Sequence, residues 1–560
     1  MIPVMHIEFD AIVVGSGLTG GWAAKELTES GLKTLVLERG GELSPEQIPA
    51  SEIMSSAELK VLYESEYFIQ SRNYMFGEAT RHLFNNDKRD GYSRDERMPF
   101  NWIRLNALGG KSLLWGGGAY RWSDLDFCAN GADGHGIDWP IRYADLRKWY
   151  GYVERFIGVS GALEEFPGLE EGELLQPMPL TEGETMLRDA IRENFNDRVL
   201  TIGRTAILTE NHLGRKAYAH SRGHVPAFMT DALFTSANST LPAARKTGNV
   251  TIRTNTIVER LDYDARRRRV VGVQVIDGKS GRRESVGARL IFLCASTIAT
   301  TQILLQSRSE AFPKGLANSS GVVGRYLMDH FGLVCAAGTR VNVAALGGRN
   351  WLGARPAVSY IPRFRNVRGN EARGFVRGYG FIAWEGVSRD SPGGGAPTCG
   401  GERSVKTGGM PILTLQGFGE CLPYAHNCVM LDERRTDRFG QPVVKINFRF
   451  GSNEQVMAED MVMEAAHMLS LGGFSHVREF HAGLSTRGDS IHEMGTARMG
   501  HDPECSVLNG RNQCHDVPNL FISDGACMTS SSNIHPSLTY MALTARACEY
   551  AVTLLKCSAI

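Results

Sequence analysis

Apolar and polar positions are patterned most clearly near the two ends of the chain. Ala11–Val14 is an unbroken apolar run, as expected of a strand covered on both faces, and Lys33–Leu37 repeats the pattern. Between them Trp22, Ala23 and Leu27 recur at helical spacing, with Lys25, Glu26 and Glu29 facing outward and Gly31 ending the helix. The whole predicts a βαβ unit of about 30 residues. Val250–Val258, Val270–Ile276 and Leu290–Ala295 read as strands, and the last leads into a helix at Thr297–Gln306. Tyr143–Phe156 reads as an amphipathic surface helix, started by Trp139-Pro140, while Val456–Leu471 and Tyr540–Leu555 read as further helices. Residues 331–450 alternate in short runs, which predicts a mostly antiparallel sheet. The glycine-rich Ser391–Gly409 interrupts it and reads as a mobile loop. Gly40–Pro99 is polar and irregular, predicting helical turns and loop over a nucleotide or a site entrance.

At roughly 150 residues per domain, 560 residues allow about three or four core-forming units. With 42% hydrophobic and 22% charged residues the chain has the balance of a globular protein. Lys and Arg number 61 and so do Asp and Glu, and this neutral total argues against a nucleic-acid partner. The dense basic cluster Arg266–Arg269 lies between strand-like runs and reads as a solvated hairpin turn. Stretches such as Leu290–Ala295 fall far short of the roughly 18 apolar residues a membrane span requires, so no membrane insertion is expected. Met1–Asp10 has no basic region followed by an apolar one, which predicts no secretory signal. The eleven cysteines include no Cys-x-x-Cys pair and predict no metal site, reduced thiols and a cytoplasmic location. Export with a partner subunit stays open.

Chemistry enters at Gly15-Ser16-Gly17-Leu18-Thr19-Gly20, on the first strand-to-helix turn. Gly15 permits the tight turn, Gly17 lets backbone approach a pyrophosphate, and Gly20 lets helix pack close to strand. The helix N-terminus then faces the phosphate charge. Glu38, closing the second strand, suits the hydroxyls of an adenosine ribose and would repel a 2′-phosphate, which leaves FAD or NAD. Gly109-Gly110-Lys111-Ser112 and Trp115-Gly116-Gly117-Gly118 suggest backbone packed against a flat ligand, although an ordinary glycine loop has the same local pattern. Near the C-terminus, His492–Gly500 and Asn519–Gly525 are followed by Asn533–Thr539 and a helix. A strand ending in Asp524-Gly525 before a polar turn suits a ribityl chain or a pyrophosphate. Histidine is well matched to taking a hydroxyl proton near neutral pH, since its unperturbed pKa is about 6.5. Taken singly, His492 and His535 read more readily as structural than as catalytic.

On these motifs the chain resembles the glucose–methanol–choline (GMC) oxidoreductases from Phe9 to Tyr550. It looks nearest to the bacterial flavoprotein glycoside 3-dehydrogenases, and is more distantly similar to gluconate dehydrogenase and pyranose 2-oxidase. The resemblance implies an α/β fold with an added antiparallel sheet: a Rossmann-like FAD-binding domain interleaved with a substrate domain. Residues 1–45, 96–160, 200–330 and 485–560 would form the first, and 46–95, 161–199 and 331–484 the second with its lid segments. It implies FAD rather than NAD, with Gly15, Gly17 and Gly20 at the pyrophosphate and Glu38 at the adenosine ribose. Gly109, Gly110 and Ser112 would lie along the pyrophosphate or isoalloxazine, Val258 at the adenine and Asp524 at the ribityl chain. His492 and His535 match the family's active-site pair, which implies alcohol oxidation with hydride transfer to flavin N5.

Leu114 stands where pyranose 2-oxidase carries the histidine that tethers its flavin, so the FAD is expected to be non-covalent. Lys216–Thr235 has no cysteine where cluster-bearing relatives are cysteine-rich, so no iron–sulfur cluster is expected, and oxygen, a quinone-like acceptor or an unusual partner would reoxidise the flavin. His220 and His224 within it read as surface or loop residues. The match to sugar-oxidising relatives extends to Tyr360, Arg363, Asn366, Tyr379 and Glu420, which could hydrogen-bond a sugar or equally be sheet surface. The expected reaction is oxidation of a pyranose hydroxyl, C3 of a glucoside foremost, to a keto sugar. A non-sugar alcohol or a glycosylated natural product is the alternative substrate, and a flavin-holding subunit without turnover is the alternative of another class.

Overall fold

The apolar run Ala11–Val13 is wholly buried, with parallel strands flanking it on both edges. A computed structural model describes residues 7–42, 56–218, 230–340, 356–369, 373–387, 411–481, 484 and 487–560. In chain order, the elements that place the site begin with β1 (Ile7–Val14), α1 (Leu18–Glu29), β2 (Thr34–Leu37), α2 (Tyr143–Ile157), β3 (Thr201–Ile202) and β4 (Val250–Arg253). Next come β5 (Thr256–Asp264), β6 (Arg269–Asp277), β7 (Arg283–Leu293), α3 (Thr297–Gln306) and β8 (Phe331–Thr339). They end with β9 (Ser359–Ile361), β10 (Tyr379–Val387), β11 (Pro411–Gly419), α4 (Ser452–Leu471), β12 (Ser475–Glu479), β13 (Leu520–Ile522) and α5 (Ser537–Lys556).

The first sheet runs β4-β2-β1-β7-β6-β5, with β13 also paired to β7. Its β4-β2-β1-β7 core and the β7–β13 pair are parallel, and the β7-β6-β5 meander is antiparallel. The C-terminal ends of β1, β7 and β13 therefore gather at one place, the crevice where open α/β sheets bind ligands. Helix α5 packs against α1 and α2 on one face. The expected single strand Val250–Val258 is two strands at opposite edges. The chain turns between them at Asn255, whose φ of 52° is one that asparagine tolerates better than most side chains. Arg266–Arg269 does form the β5–β6 hairpin turn, with Asp264 accepting the backbone N–H groups of Arg266 and Arg267.

Lys25 differs from its outward reading. It is buried, with Nζ donating to Tyr152 at 2.8 Å, Glu26 at 2.9 Å and Glu29 at 2.8 Å. The aromatic face of α2 covers it together with Trp22, so its ammonium lies over three rings while paired with carboxylates.

The second sheet runs β12-β8-β11-β10-β9-β3, and every pair in it is antiparallel. Thr201–Ile202, assigned from sequence to the nucleotide-binding unit, pairs here with β9. The hairpin Cys428–Thr436 with Pro442–Asn447 leaves this sheet and forms a separate three-stranded one with Ser93–Arg94. Helix α4 covers one face of the second sheet against β8 and β11. No described helix is long and apolar enough to cross a membrane. The glycine-rich Ser391–Gly409 and the pair His220 and His224 lie outside the described residues.

Candidate active site

The turn after β1 is shaped by what it approaches. Gly15 has φ of 98°, and a Cβ there would lie 2.3 Å from the carbonyl oxygen of Cys294, just past β7. A Cβ on Gly20 would lie 1.9 Å from the carbonyl oxygen of Gly15, so helix and strand touch through bare backbone. Gly17 is different: a Cβ there would meet nothing within 4 Å among the described residues. Gly110 faces it from the turn Gly110–Leu113, with φ of 53° and a Cβ direction ending 3.4 Å from Gly17 Cα. Ser16 ties this cradle together. Its hydroxyl donates to Glu38 and accepts the backbone N–H of Gly109 at 2.9 Å, while its own N–H donates to Glu38 at 3.1 Å.

Glu38 is buried, and also accepts the N–H of Gly40 at 2.7 Å. Burial raises its carboxyl above the usual range. Ser112 donates to the Gly109 carbonyl at 2.6 Å and accepts from Ser236 N–H at 3.0 Å, so its hydroxyl braces the glycine turn. Val258 is buried two residues beyond Thr256, whose N–H donates to the Glu38 carbonyl at 2.8 Å. Asp524, just past β13, accepts from Thr300 at 2.6 Å and from Ala526 N–H at 3.0 Å, and burial pushes it up to about 6.

A second cluster lies where the two sheets meet. Met328 and Met494 exchange reciprocal backbone hydrogen bonds of 2.9 Å, which lays Asp329-His330 alongside His492-Glu493. Asp329 accepts the His492 backbone N–H at 3.0 Å. His330 Nδ1 lies 3.0 Å from His492 Nδ1, and His330 Nε2 lies 2.9 Å from the Ser531 carbonyl. The rings of His492 and His535 are 5.0 Å apart and nearly perpendicular, at 81°. His535, on the turn into α5, stacks on Tyr120 and touches Phe418 of β11. Tyr120 in turn packs on Tyr360, which lies 3.3 Å from Asn533 Nδ2. Beside His492, Glu493 forms an ion pair with Lys111 at 2.7 Å.

Burial holds all three imidazoles in the neutral form. His330 is lowered to about 4, His535 to about 3, and His492 well below the ordinary histidine range. Repulsion by His535, His330 and Lys111 adds to the effect at His492. The Lys111–Glu493 ion pair thus joins the glycine turn to the histidine group, in which His330 is buried and His492 and His535 are half-buried.

Sequence comparison decides the family. Two models described as GMC oxidoreductase match residues 9–332 and 423–544, which together span most of the chain. The chain belongs to the GMC oxidoreductase family. It is 29% identical to the 2-methyl-1,2-propanediol dehydrogenase of Mycolicibacterium austroafricanum, over 97% of this chain and 95% of the relative. It is 26% identical to the 6'''-hydroxyparomomycin C oxidase of Streptomyces lividus, over 95% of this chain and 89% of the relative. The crystal structure of pyridoxine 4-oxidase from Mesorbium loti superposes with a TM-score of 0.60 at 19% identity, covering 97% of this chain and 98% of that one.

GMC oxidoreductases bind FAD and act on CH–OH groups. The residues present fit such a group: beyond the open face at Gly17 and Gly110, three of the buried polar atoms without a described hydrogen-bond partner belong to the histidine group and its surroundings. They are the Tyr540 hydroxyl, Asp329 Oδ2 and His535 Nδ1. Of the side chains expected at a sugar site, Tyr360 alone joins the histidine group. Arg363 is bound to Glu420 at 2.7 Å and to the carbonyls of Arg365 and Asn366. Asn366 holds the carbonyls of Phe375 and Arg377, and Tyr379 donates to Asp460. These four side chains hold the second sheet's connections together, because buried charges and amides must pair with one another. The sequence reading missed His330, Asp329, Tyr120 and the Lys111–Glu493 pair. The one available signal was Asp329-His330 standing directly before the apolar run of β8.

Gly118 sets the position of His535. A Cβ there would lie 3.0 Å from the ring's Cγ. Gly118→Ala in this GMC oxidoreductase is expected to tilt that ring and slow substrate-driven flavin reduction about tenfold, as measured by stopped-flow absorbance.

Proposed function

We propose that this GMC oxidoreductase oxidises a secondary ring hydroxyl of a pyranose sugar, C3 of a glucoside foremost, to the ketone. One observation carries the reading: two neutral imidazoles, His492 and His535, stand 5.0 Å apart beside the aromatic side chains Tyr120, Tyr360 and Phe418. An alcohol oxygen held between the rings meets one group that takes its proton and one that hydrogen-bonds it. Aromatic faces suit the C–H-rich face of a pyranose. The likeness to a protein named as a 6'''-hydroxyparomomycin C oxidase supports a glycosylated substrate.

In this reading the hydroxyl proton passes to His492, the C–H bond breaks with both electrons leaving carbon, and a C=O bond forms. FAD, when bound, supplies the acceptor for that hydride. As the C–H bond breaks, the oxygen becomes that of a protonated carbonyl, a far stronger acid than the alcohol. An imidazole below its ordinary basicity therefore suffices. His535 donates an N–H to the same oxygen and fixes the carbon's approach, a positioning task. Gly15, Gly17 and Gly20 hold the pyrophosphate, Glu38 the adenosine ribose, and Val258 the adenine through its backbone. Gly109, Gly110 and Ser112 line the flavin side, and Asp524 reaches the ribityl chain. Leu114 supports a non-covalent flavin, and the cysteine-free Lys216–Thr235 supports the absence of an iron–sulfur cluster. Oxygen, a quinone-like acceptor or a partner subunit then reoxidises the protein.

The likeness to a 2-methyl-1,2-propanediol dehydrogenase favours a second reading, a small non-sugar alcohol. The visible spectrum of the holoprotein under argon separates the two. Bleaching by methyl β-D-glucoside and not by 2-methyl-1,2-propanediol is the expected result. The reverse selects the second reading, and bleaching by neither overturns both.

A further inference from the structure

The arrangement around His330 bears on which histidine takes the proton and through which atom. The Ser531 carbonyl can only accept a hydrogen bond, so the His330 Nε2 that faces it at 2.9 Å carries hydrogen. A neutral imidazole has one N–H, which leaves His330 Nδ1 with a bare lone pair. That atom lies 3.0 Å from His492 Nδ1. Two bare nitrogens at that distance would repel, so His492 Nδ1 is the donor. Turning the His330 ring over would put carbon at both contacts and lose both hydrogen bonds, so this orientation is the one that satisfies them. His492, neutral as well, then has its remaining nitrogen, Nε2, unprotonated. The Asp329 side-chain oxygen accepts the His492 backbone N–H at 3.0 Å and holds its main chain.

We propose that His330 is a positioning residue: by accepting from His492 Nδ1–H it fixes the tautomer of His492, and leaves His492 Nε2 as the lone pair that receives the substrate's hydroxyl proton. The kinetic part of this inference rests on the alcohol oxidation proposed above; the tautomer does not. When His492 takes the proton at Nε2, its Nδ1–H keeps an acceptor, so the new imidazolium stays hydrogen-bonded in a half-buried place. His535 has no described partner at Nδ1 to fix its tautomer, which suits a group that adapts to the substrate oxygen. The charged and titratable groups facing His492 are Asp329, Lys111, Glu493, His330 and His535.

The test joins a structural and a kinetic measurement on the FAD-loaded protein. Neutron diffraction from deuterated crystals is expected to find deuterium on His492 Nδ1 and none on Nε2. Deuterium on Nε2 with Nδ1 bare overturns the proposal. His330→Leu removes the acceptor, and His330→Gln keeps an acceptor and a donor on one end group. With methyl β-D-glucoside, the leucine variant is expected to lose about 10- to 100-fold in the flavin reduction rate. Its substrate dissociation constant should stay within about twofold. The glutamine variant should recover most of the rate. Equal losses in both variants, or a loss appearing wholly in substrate affinity, would mean a merely structural role. Should the leucine variant fail to fold, the neutron result and the glutamine variant decide. Absence of turnover in the wild type counts against the proposed function alone, and the neutron result still decides the tautomer.

Discussion

Replacing His492 with alanine is expected to lower the rate of flavin reduction by sugar by about 10²-fold or more, the usual size of a lost acid–base contribution. Bound FAD should be retained, because the turn at Gly15–Gly20 proposed to hold its pyrophosphate shares no described hydrogen bond with this ring. The effect has two sources. Alanine removes the nitrogen that faces the substrate oxygen, and it leaves His330 Nδ1 without the partner it has at 3.0 Å. The pH dependence carries the same signature. Burial and neighbouring positive charge hold His492 well below the ordinary histidine range, so its basic form is present throughout neutral pH. The wild-type reduction rate should therefore be flat from about pH 8 through the free-imidazole value of about 6.5, and fall only in more acid solution. A base with a raised pKa would instead lose rate on the alkaline side of 6.5 as pH falls. In the His492→Ala variant the acid limb should vanish. Stopped-flow reduction across that range reads both effects.

The other large effect is expected at Gly17. Its backbone, with φ of −67° and ψ of −160°, suits any L-residue, and a Cβ there meets nothing within 4 Å among the described residues. Gly17→Ala should therefore leave the melting temperature of the apoprotein unchanged. The added methyl projects onto the open face proposed for the pyrophosphate, so FAD affinity should fall by about 10²-fold, roughly 2.7 kcal/mol. Gly20→Ala provides the contrast. Its Cβ would lie 1.9 Å from the Gly15 carbonyl oxygen, a clash between main chains that cannot be relieved by a rotamer change. That variant should lose apoprotein stability as well as cofactor. Flavin titration with parallel thermal unfolding separates the two outcomes.

What the sequence revealed depended on how local the determinants are. The βαβ start was readable because a two-sided parallel strand needs an unbroken apolar run and its turn needs glycines at fixed offsets. Helix Thr297–Gln306 falls where its pattern placed it. Lys25 was misread because what covers it lies on another helix: Tyr152 is far away in sequence and helps turn a polar position into a buried one. The same limit hid His330. Its partnership with His492 exists because Met328 and Met494 pair through their backbones, and no local pattern announces a contact between residues so far apart in sequence. Arg363, Asn366, Tyr379 and Glu420 raise a related difficulty. Side chains rich in hydrogen-bonding atoms look alike whether they face a sugar or one another, and burial in the second sheet satisfies them internally. The resemblance to GMC oxidoreductases supplied the family and pointed to His492 and His535, but not to His330.

Hydride loss from the sugar is read by stopped-flow mixing, under argon, of the FAD-loaded protein with methyl β-D-glucoside carrying deuterium at C3. The account predicts that the oxidised flavin absorption disappears and that the C3 label slows its disappearance by a primary isotope effect. A flavin that stays oxidised, or a bleaching rate indifferent to that label, would contradict it.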